Sequence, residues 1–190
     1  LIGIWRVENK NDQLVIEKLS SMPYSNFENK AKGMLLQYPN YSTFDGSVWR
    51  IKHKEELLNQ CKDTLAEGWH KNLIDVVNKI LLQKSNLNPS GLNFEIKNDF
   101  EVSYELEKSL IESVCIINKM SSKLCHCNIK KLTYDIVYMV RNVLKNAEWK
   151  TWDNLNDYLR NLAELAPSIF LNEVEKTISN LSQDSDDELF

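Results

Sequence analysis

A single proline, Pro167, separates two apolar ladders near the end of this 190-residue chain. In each ladder the apolar residues recur at steps of three and four, which places them on one face of a helix. The first contains Leu155, Leu159, Leu162 and Ala166, and the second contains Phe170, Val174, Ile178 and Leu181. Proline lacks a backbone N–H, so it suits the first turn of a helix and disfavours helical geometry at the residue before it. We therefore predict two packed helices that meet at a corner, the first ending near Leu165.

Four residues are expected to anchor this helical hairpin: Trp149, Trp152, Pro167 and Phe170. The two tryptophans are three positions apart, close to one helical turn. Large aromatic side chains beside apolar periodicity usually belong to a core. We therefore expect both tryptophans to be buried.

The first part of the chain has its own order of elements. Asp12 is a candidate cap for a short helix through Ser20. Ser25 and Glu28 have the spacing of a capping box, which opens a helix to about Gln37.

A β-hairpin is predicted directly after these helices. Two β-prone segments, Tyr41–Phe44 and Val48–Ile51, flank Asp45-Gly46, a turn signal that requires positive φ. The order helix, turn, helix, hairpin is that of a winged-helix unit, which we assign to residues 1–56.

The remainder reads as helices joined by links. Linking helices are predicted over 57–84, a loop and boundary over 85–102 with one short strand at Leu92–Ile96, a helical array over 103–181, and an acidic tail or linker over 182–190. Within the array, helices are expected from Ser103 to Lys119 and from Asn128 to Ala147. The predicted fold is therefore mainly α, a winged-helix-like unit with a small β-hairpin followed by antiparallel helix pairs.

Composition limits the classes of function. The chain is 43% apolar and 26% charged, which is ordinary globular usage. Its net charge of −4 provides no strong field for nucleic acid, so any such contact would have to be local. No run reaches the length of a membrane span, and the start lacks a secretory pattern. We expect a cytoplasmic location and no membrane partner. The start at Leu1 and the acidic end also suggest a piece of a longer polypeptide.

No catalytic, cofactor-binding or metal-binding residue is predicted. The Gly-rich loop with Lys and Ser/Thr that holds nucleotide phosphates is absent. Cys125-His126-Cys127 groups zinc-type ligands, but a tetrahedral site needs a further pair, and a turn before a helix is the favoured interpretation. Cys61 and Cys115 add no disulfide spacing, so reduced thiols are expected.

Nucleic-acid contact is a second hypothesis for the first unit, through five basic residues: Lys30, Lys32, Arg50, Lys52 and Lys54. Residues 1–56 contain eight Lys and Arg against seven Asp and Glu, a net charge of +1. That balance is far from the basic footprint of a DNA-binding surface. A role in protein packing is favoured, with a winged-helix nucleic-acid-binding module as the alternative.

Several motifs resemble the central region of large bacterial STAND-type P-loop NTPases of the kind found in antiviral defence. In the hairpin these are Trp149-x-x-Trp152-x-x-Leu155 and Leu162-Ala163-Glu164-x-Ala166-Pro167-x-x-Phe170-Leu171-x-x-Val174-Glu175. Earlier matches are Ile2-Gly3-x-Trp5, Asn11-Asp12, Asp45-Gly46-x-x-Trp49, Ser103-x-x-Leu106 and Leu110. The chain departs from the family pattern at Glu107 and Ser109, where that pattern has Arg and Gly.

The resemblance implies a non-catalytic regulatory or scaffold segment. In such proteins a winged helix and helical linker connect an ATP-binding switch to a sensor array. The implied partners are the other domains of the same polypeptide and further copies in a homo-oligomer, and any NTPase activity lies elsewhere in the full-length protein. Coupling of this kind requires an element with two packings of similar energy.

Overall fold

The computed structural model describes residues 2–63, 65, 68–85, 101–124 and 127–187. The chain from β1 to α3 forms an N-terminal unit. Its elements are β1 (Ile4–Arg6), α1 (Lys10–Ser20), α2 (Tyr24–Gln37), β2 (Ser42–Phe44), β3 (Val48–Ile51) and α3 (Lys54–Cys61). The strands form an antiparallel sheet in the order β1, β3, β2.

The remaining helices form a helical body. Its elements are α4 (Trp69–Ser85), α5 (Tyr104–Met120), α6 (Ile129–Leu144), α7 (Trp149–Asn154), α8 (Leu159–Leu165) and α9 (Pro167–Asp187), with 3-10 turns at Ser121–Lys123 and Asn156–Tyr158. The described chain is thus mainly helical with a small antiparallel sheet, which confirms the predicted fold class. α9 continues into the segment predicted as an acidic tail.

The first two helices begin differently from the prediction. Asn9 caps α1, accepting hydrogen bonds from the backbone N–H groups of Asn11 (2.9 Å) and Asp12 (3.1 Å). The predicted cap at Asp12 is therefore wrong, since this residue lies inside the first turn. The Ser25 capping box is also wrong, because α2 starts at Tyr24 without a side-chain cap.

The β-hairpin prediction is confirmed. Gly46 has φ of +97° at the turn, and the Asp45 carboxylate accepts the N–H groups of Ser47 (3.1 Å) and Val48 (2.8 Å). Arg50 donates to the same carboxylate at 2.6 Å and is the main reason why the pKa of Asp45 is lowered. Strand β1 was not predicted, because its three residues pair with a strand more than forty positions later.

A tryptophan pair fills the core of the N-terminal unit. Trp5 and Trp49 are fully buried and stacked, with ring centroids 5.6 Å apart. Phe27 packs edge-on against Trp5, and the Trp5 indole N–H donates to the Tyr24 hydroxyl at 3.2 Å. These two tryptophans are therefore core residues of the N-terminal unit.

In the helical body, α4 and α6 pack side by side and run in the same direction. Asn142 on α6 donates to Asn78 on α4 at 3.4 Å. About two turns earlier on both helices, the charge of Asp135 on α6 acts on the buried His70 on α4. The segment predicted as linking helices therefore includes α4, which is an integral helix of the body.

α5 runs opposite to α4 and is the most deeply buried helix. Lys84 at the end of α4 pairs with Glu107 near the start of α5, with 3.1 Å between Nζ and Oε2. Ser103 caps α5 by accepting the Leu106 N–H at 3.3 Å. α5 contacts both the N-terminal unit and the later helices, and ten of its residues are buried as a result.

The C-terminal hairpin is more broken than predicted. A 3-10 turn separates α7 from α8, and Pro167 is the first residue of α9, as expected. Trp149 is 71% exposed, so the prediction that it is a buried anchor is wrong: at the start of the short α7 it points away from the core. Trp152 is half-buried, packs edge-on against Phe170 and donates its indole N–H to Thr177 at 3.0 Å.

Among the described residues, no helix combines the length and apolar content needed to cross a bilayer. The predicted strand at Leu92–Ile96 and most of the boundary over 85–102 lie outside the described residues.

Candidate functional site

A buried carboxylate joins the N-terminal unit to the helical body. Asp12 on α1 is completely buried, because it lies one turn before Val15 and Ile16 on the inward face of the helix. It accepts hydrogen bonds from the backbone N–H of Arg6 (2.8 Å), the backbone N–H of Ser103 (2.7 Å) and the Ser103 hydroxyl (2.6 Å). The charge is thus compensated by three donors, which a buried carboxylate requires.

A largely buried lysine makes a second connection at the same interface. Lys54, the first residue of α3, has a side chain only 10% exposed. Its ammonium donates to the Ser109 carbonyl (2.8 Å), the Ser109 hydroxyl (2.8 Å) and the Ser113 hydroxyl (3.2 Å). Burial lowers the pKa of Lys54, while the Glu112 carboxylate 3.7 Å away raises it.

The backbone of β1 lies directly against α5 at Gly3. A Cβ atom at this position would lie 1.7 Å from the Ser109 hydroxyl oxygen, and Gly3 has φ of +93°. The same hydroxyl accepts the Ile4 N–H at 2.9 Å. Only glycine allows this approach, since any side chain would both clash and favour negative φ.

Ion pairs surround these buried contacts. Arg6 on β1 pairs with Glu105 on α5, which raises the pKa of Arg6 and lowers that of Glu105. Lys119 near the end of α5 pairs with Glu55 on α3 at 2.8 Å. The polar contacts therefore extend along much of α5. We call this set of contacts between β1, α1, α3 and α5 the α5 interface.

The pair formed by Lys54 and Ser109 has the elements of a Ser-Lys nucleophile, but its geometry does not support catalysis. Ser109 is 1% exposed, and its hydroxyl oxygen already contacts both the Lys54 ammonium and the Ile4 N–H. A nucleophile must reach a substrate carbon, and Gly3 fills the space next to this oxygen. The α5 interface is therefore structural.

A second buried polar group lies within the helical body. Tyr158, in the 3-10 turn before α8, donates its hydroxyl to Glu107 at 2.7 Å, and both residues are at least 96% buried. Burial and this hydrogen bond raise the pKa of Tyr158 strongly. The Lys84 ammonium pairs with the same carboxylate oxygen, Oε2, at 3.1 Å. The group ties α4, α5 and the C-terminal hairpin together.

The buried imidazole of His70 has no hydrogen-bond partner on either ring nitrogen in the described part of the chain. It is 2% exposed. Burial lowers its pKa, Asp135 opposes that shift, and Lys131 adds to it.

The cysteines form no metal centre in the ranges described. No group of three or more His, Cys, Asp or Glu residues there could hold an ion, and Cys125 and His126 lie outside those ranges. Burial raises the pKa of the Cys115 and Cys127 thiols, which is the opposite of nucleophile activation.

The five basic residues considered for DNA binding do not form one open surface. Lys54 is buried in the α5 interface, Arg50 pairs with Asp45, and Lys32 pairs with Glu28 at 3.2 Å. Lys30 and Lys52 remain exposed. A polyanion would meet two open cations here, too few for a phosphate footprint.

A largely apolar cavity of about 500 Å³ opens between the helices of the N-terminal unit and α4. Its lining includes Phe27, Ala31 and Met34 from α2, Leu57 from α3 and Trp69 from α4. In α2, Tyr24 is the single buried residue, and Leu36 is 84% exposed. α2 is therefore held by few buried contacts.

The sequence contained a signal for part of this site. Asp12 precedes Val15 and Ile16 by three and four positions, and Glu107 has the same relation to Leu110 and Ile111. A carboxylate on the apolar face of a helix indicates a buried polar contact. The partners of these carboxylates come from distant segments, which the pattern does not identify.

Compared with protein-family models, with curated proteins and with solved structures, the chain matches none of them.

Proposed function

We propose that this chain is a non-catalytic regulatory or scaffold segment of a larger bacterial STAND-like NTPase. It would couple target sensing to NTPase switching or oligomerisation in antiviral defence. The proposal combines the sequence resemblance with one structural contrast. The N-terminal unit is fixed to α5 by buried polar contacts, whereas its helix α2 borders an apolar cavity.

This contrast suits a relay. Buried hydrogen bonds of a charged group constrain geometry strongly, because breaking one leaves an uncompensated charge. A helix that borders an apolar cavity can adopt a second packing at lower cost than one in a close-packed core. In this proposal α5 and its interface act as the fixed part, and α2 is the element that shifts.

Catalysis is assigned to other parts of the polypeptide. Four polar groups that could do chemistry are shielded from solvent and contact protein partners: Asp12, Lys54, Ser109 and Glu107. Each has a structural partner that accounts for its burial. This arrangement supports a regulatory role and offers no open reaction centre.

The reading frame that contains this segment provides the first test. It should encode a Gly-x-x-x-x-Gly-Lys-Ser/Thr loop on the N-terminal side, and a frame without one would overturn the proposal.

The second test uses the whole polypeptide. Ser103→Ala removes one hydrogen bond to Asp12 and the side-chain cap of α5. It retains the backbone N–H contact with Asp12, so the fold should persist. We expect unchanged nucleotide affinity but altered nucleotide-dependent assembly, measured by light scattering. Ser168→Ala, at an exposed position on α9 and outside both α2 and the α5 interface, is the matched control. Assembly that is identical for both variants and the unmodified protein would contradict a relay through the α5 interface.

A further inference from the structure

α6 carries a basic and aromatic surface on its outward face. We call it the α6 stripe, formed by Lys130, Lys131, Tyr134, Tyr138, Arg141 and Lys145, all of which are exposed. At 100° per residue these positions fall within about 100° of the helix circumference, and they extend over about 22 Å. They therefore form one continuous surface.

Two tyrosines lie at the centre of the α6 stripe. Tyr134 and Tyr138 are 68% and 57% exposed, and their rings are stacked with centroids 6.4 Å apart and planes 18° apart. Exposed aromatic rings cost solvation free energy unless a partner covers them. Here the two rings hold each other in a defined orientation and leave their outer faces open.

The charge of the α6 stripe is entirely positive. Asp135 is the single acidic residue of α6, and it is half-buried beside His70 instead of lying on the stripe. In the described part of the chain, none of the four cations of the stripe forms an ion pair with a carboxylate. This is a local positive surface on a chain whose net charge is −4.

We propose that the α6 stripe binds single-stranded nucleic acid, with bases stacked on Tyr134 and Tyr138 and phosphates held by Lys130, Lys131, Arg141 and Lys145. Single strands combine planar bases with a regular row of phosphates, and proteins bind them through aromatic platforms in a positive surface. The inference is independent of the proposed regulatory function and of the five basic residues of the N-terminal unit.

Other partners fit the α6 stripe less well. A membrane surface calls for large apolar side chains that enter the acyl region, whereas the exposed aromatic residues of the stripe are tyrosines with polar hydroxyls. Lysine is depleted from protein interfaces, and three of the four cations are lysines. A duplex hides its base faces, so the tyrosines would contribute nothing to duplex binding.

Fluorescence anisotropy of the 190-residue chain with a fluorescein-labelled 20-nucleotide oligothymidylate tests the proposal. Four phosphate contacts on a single strand imply a slope of log K against log salt of about −2.8, a loss of about 50-fold between 50 and 200 mM NaCl. A 20-base-pair duplex and vesicles of anionic phosphatidylglycerol serve as competing probes.

Variants separate stacking from charge. Tyr134→Ala with Tyr138→Ala should weaken oligonucleotide binding at least about tenfold, while Tyr134→Phe with Tyr138→Phe should retain it, because phenylalanine also stacks. Tyr38→Ala, at a tyrosine 53% exposed in the N-terminal unit, is the matched control. Lys130→Gln, Arg141→Gln and Lys145→Gln together should reduce the salt slope by about 2, unlike Lys10→Gln, Lys52→Gln and Lys71→Gln.

Circular dichroism should give equal melting temperatures for all of these variants, since the substituted side chains are exposed. The proposal is overturned if the oligonucleotide does not bind at 50 mM NaCl, or if the Tyr134→Ala, Tyr138→Ala double variant and the Tyr38→Ala control bind it with equal affinity. It is also overturned if the duplex binds more tightly than the single strand, or if the chain binds vesicles but does not bind the oligonucleotide.

Discussion

Asp12 on α1 and Ser103 at the start of α5 are 91 positions apart in the sequence and share two hydrogen bonds of 2.7 and 2.6 Å. Ser103 also caps α5, so one side chain begins a helix of the body and ties it to the N-terminal unit. The two parts of the molecule are therefore connected where α5 begins.

Removing the Asp12 carboxylate should destabilise the whole chain. Asp12→Ala leaves three donors without an acceptor, two of them buried, and we expect a loss of about 3 to 5 kcal/mol in the free energy of unfolding. Urea denaturation followed by circular dichroism measures this loss. Glu8→Ala, which makes the same charge change at an exposed position, should cost less than about 0.5 kcal/mol. Equal losses for the two variants would show that the hydrogen bonds of Asp12 contribute no more to the free energy of unfolding than an exposed carboxylate does.

Alanine substitutions at three glycines distinguish the effect of steric contact on stability from that of backbone strain. Gly3→Ala should destabilise by about 2 to 4 kcal/mol, because the new methyl group meets the Ser109 hydroxyl at a positive φ. Gly46→Ala shares the positive φ but has open space and should cost about 1 to 2 kcal/mol. Gly33→Ala, inside α2, should stabilise by about 0.5 to 1 kcal/mol. Thermal melts of the three variants measure these changes. Equal decreases in melting temperature for Gly3→Ala and Gly46→Ala would contradict a steric contribution at Gly3.

Tyr158→Phe tests the buried group in the helical body. The change removes the hydrogen bond to the Glu107 carboxylate without altering ring packing, so we expect a loss of about 1.5 to 3 kcal/mol. Tyr134→Phe is the control, since its hydroxyl is on an exposed side chain. Urea midpoints that are the same for both variants would mean that the Glu107 contact adds nothing to stability.

His70 should make stability depend on pH below its ordinary pKa of 6.5. Burial lowers the folded-state pKa, so the unfolded chain binds the proton first as pH falls. The free energy of unfolding should therefore decrease from pH 6.5 downwards, until the folded-state imidazole is also protonated. Lys131 favours this loss and Asp135 opposes it.

His70→Met should flatten that part of the stability profile while keeping the core filled. Urea unfolding at half-unit pH steps between 5 and 8 measures the slope. His53→Met provides the control at an exposed histidine. A slope that His70→Met leaves unchanged would exclude His70 as its source.

Trp149 and Trp152 should differ in their contribution to stability. Trp152→Ala loses the contact with Phe170 and the hydrogen bond to Thr177, and we expect a cost of about 2 to 4 kcal/mol. Trp149→Ala should change stability by less than about 0.5 kcal/mol, because the side chain is largely exposed. Tryptophan fluorescence during urea unfolding distinguishes the two. A large loss for Trp149→Ala would show that its exposure is incomplete in solution.

Local patterns predicted the local structure well. The steps of three and four located α5 and α6 to within a few residues, and Asp45-Gly46 located the hairpin. These elements depend on neighbours in the sequence, which periodicity and turn chemistry report directly.

Features that depend on distant segments could not be predicted in the same way. Strand β1 exists because it pairs with β3, and the break before α8 places Tyr158 against Glu107. Trp149 was misjudged because periodicity does not show where a helix leaves the core. Asp12 had an informative position, but its partner Ser103 comes from another part of the fold.

The parallel pairing of α4 and α6 has a consequence for the order of folding. Two neighbouring helices that point the same way cannot be joined by a short turn, so α5 must first bring the chain back. The α4 face around Asn78 is covered by a helix whose contact residue, Asn142, follows 64 positions later. During synthesis this face of α4 stays open to water until α6 has emerged. Before that point, packing against α5 buries only part of the apolar surface of α4. The helical body is therefore completed late, when its last helices reach helices made much earlier.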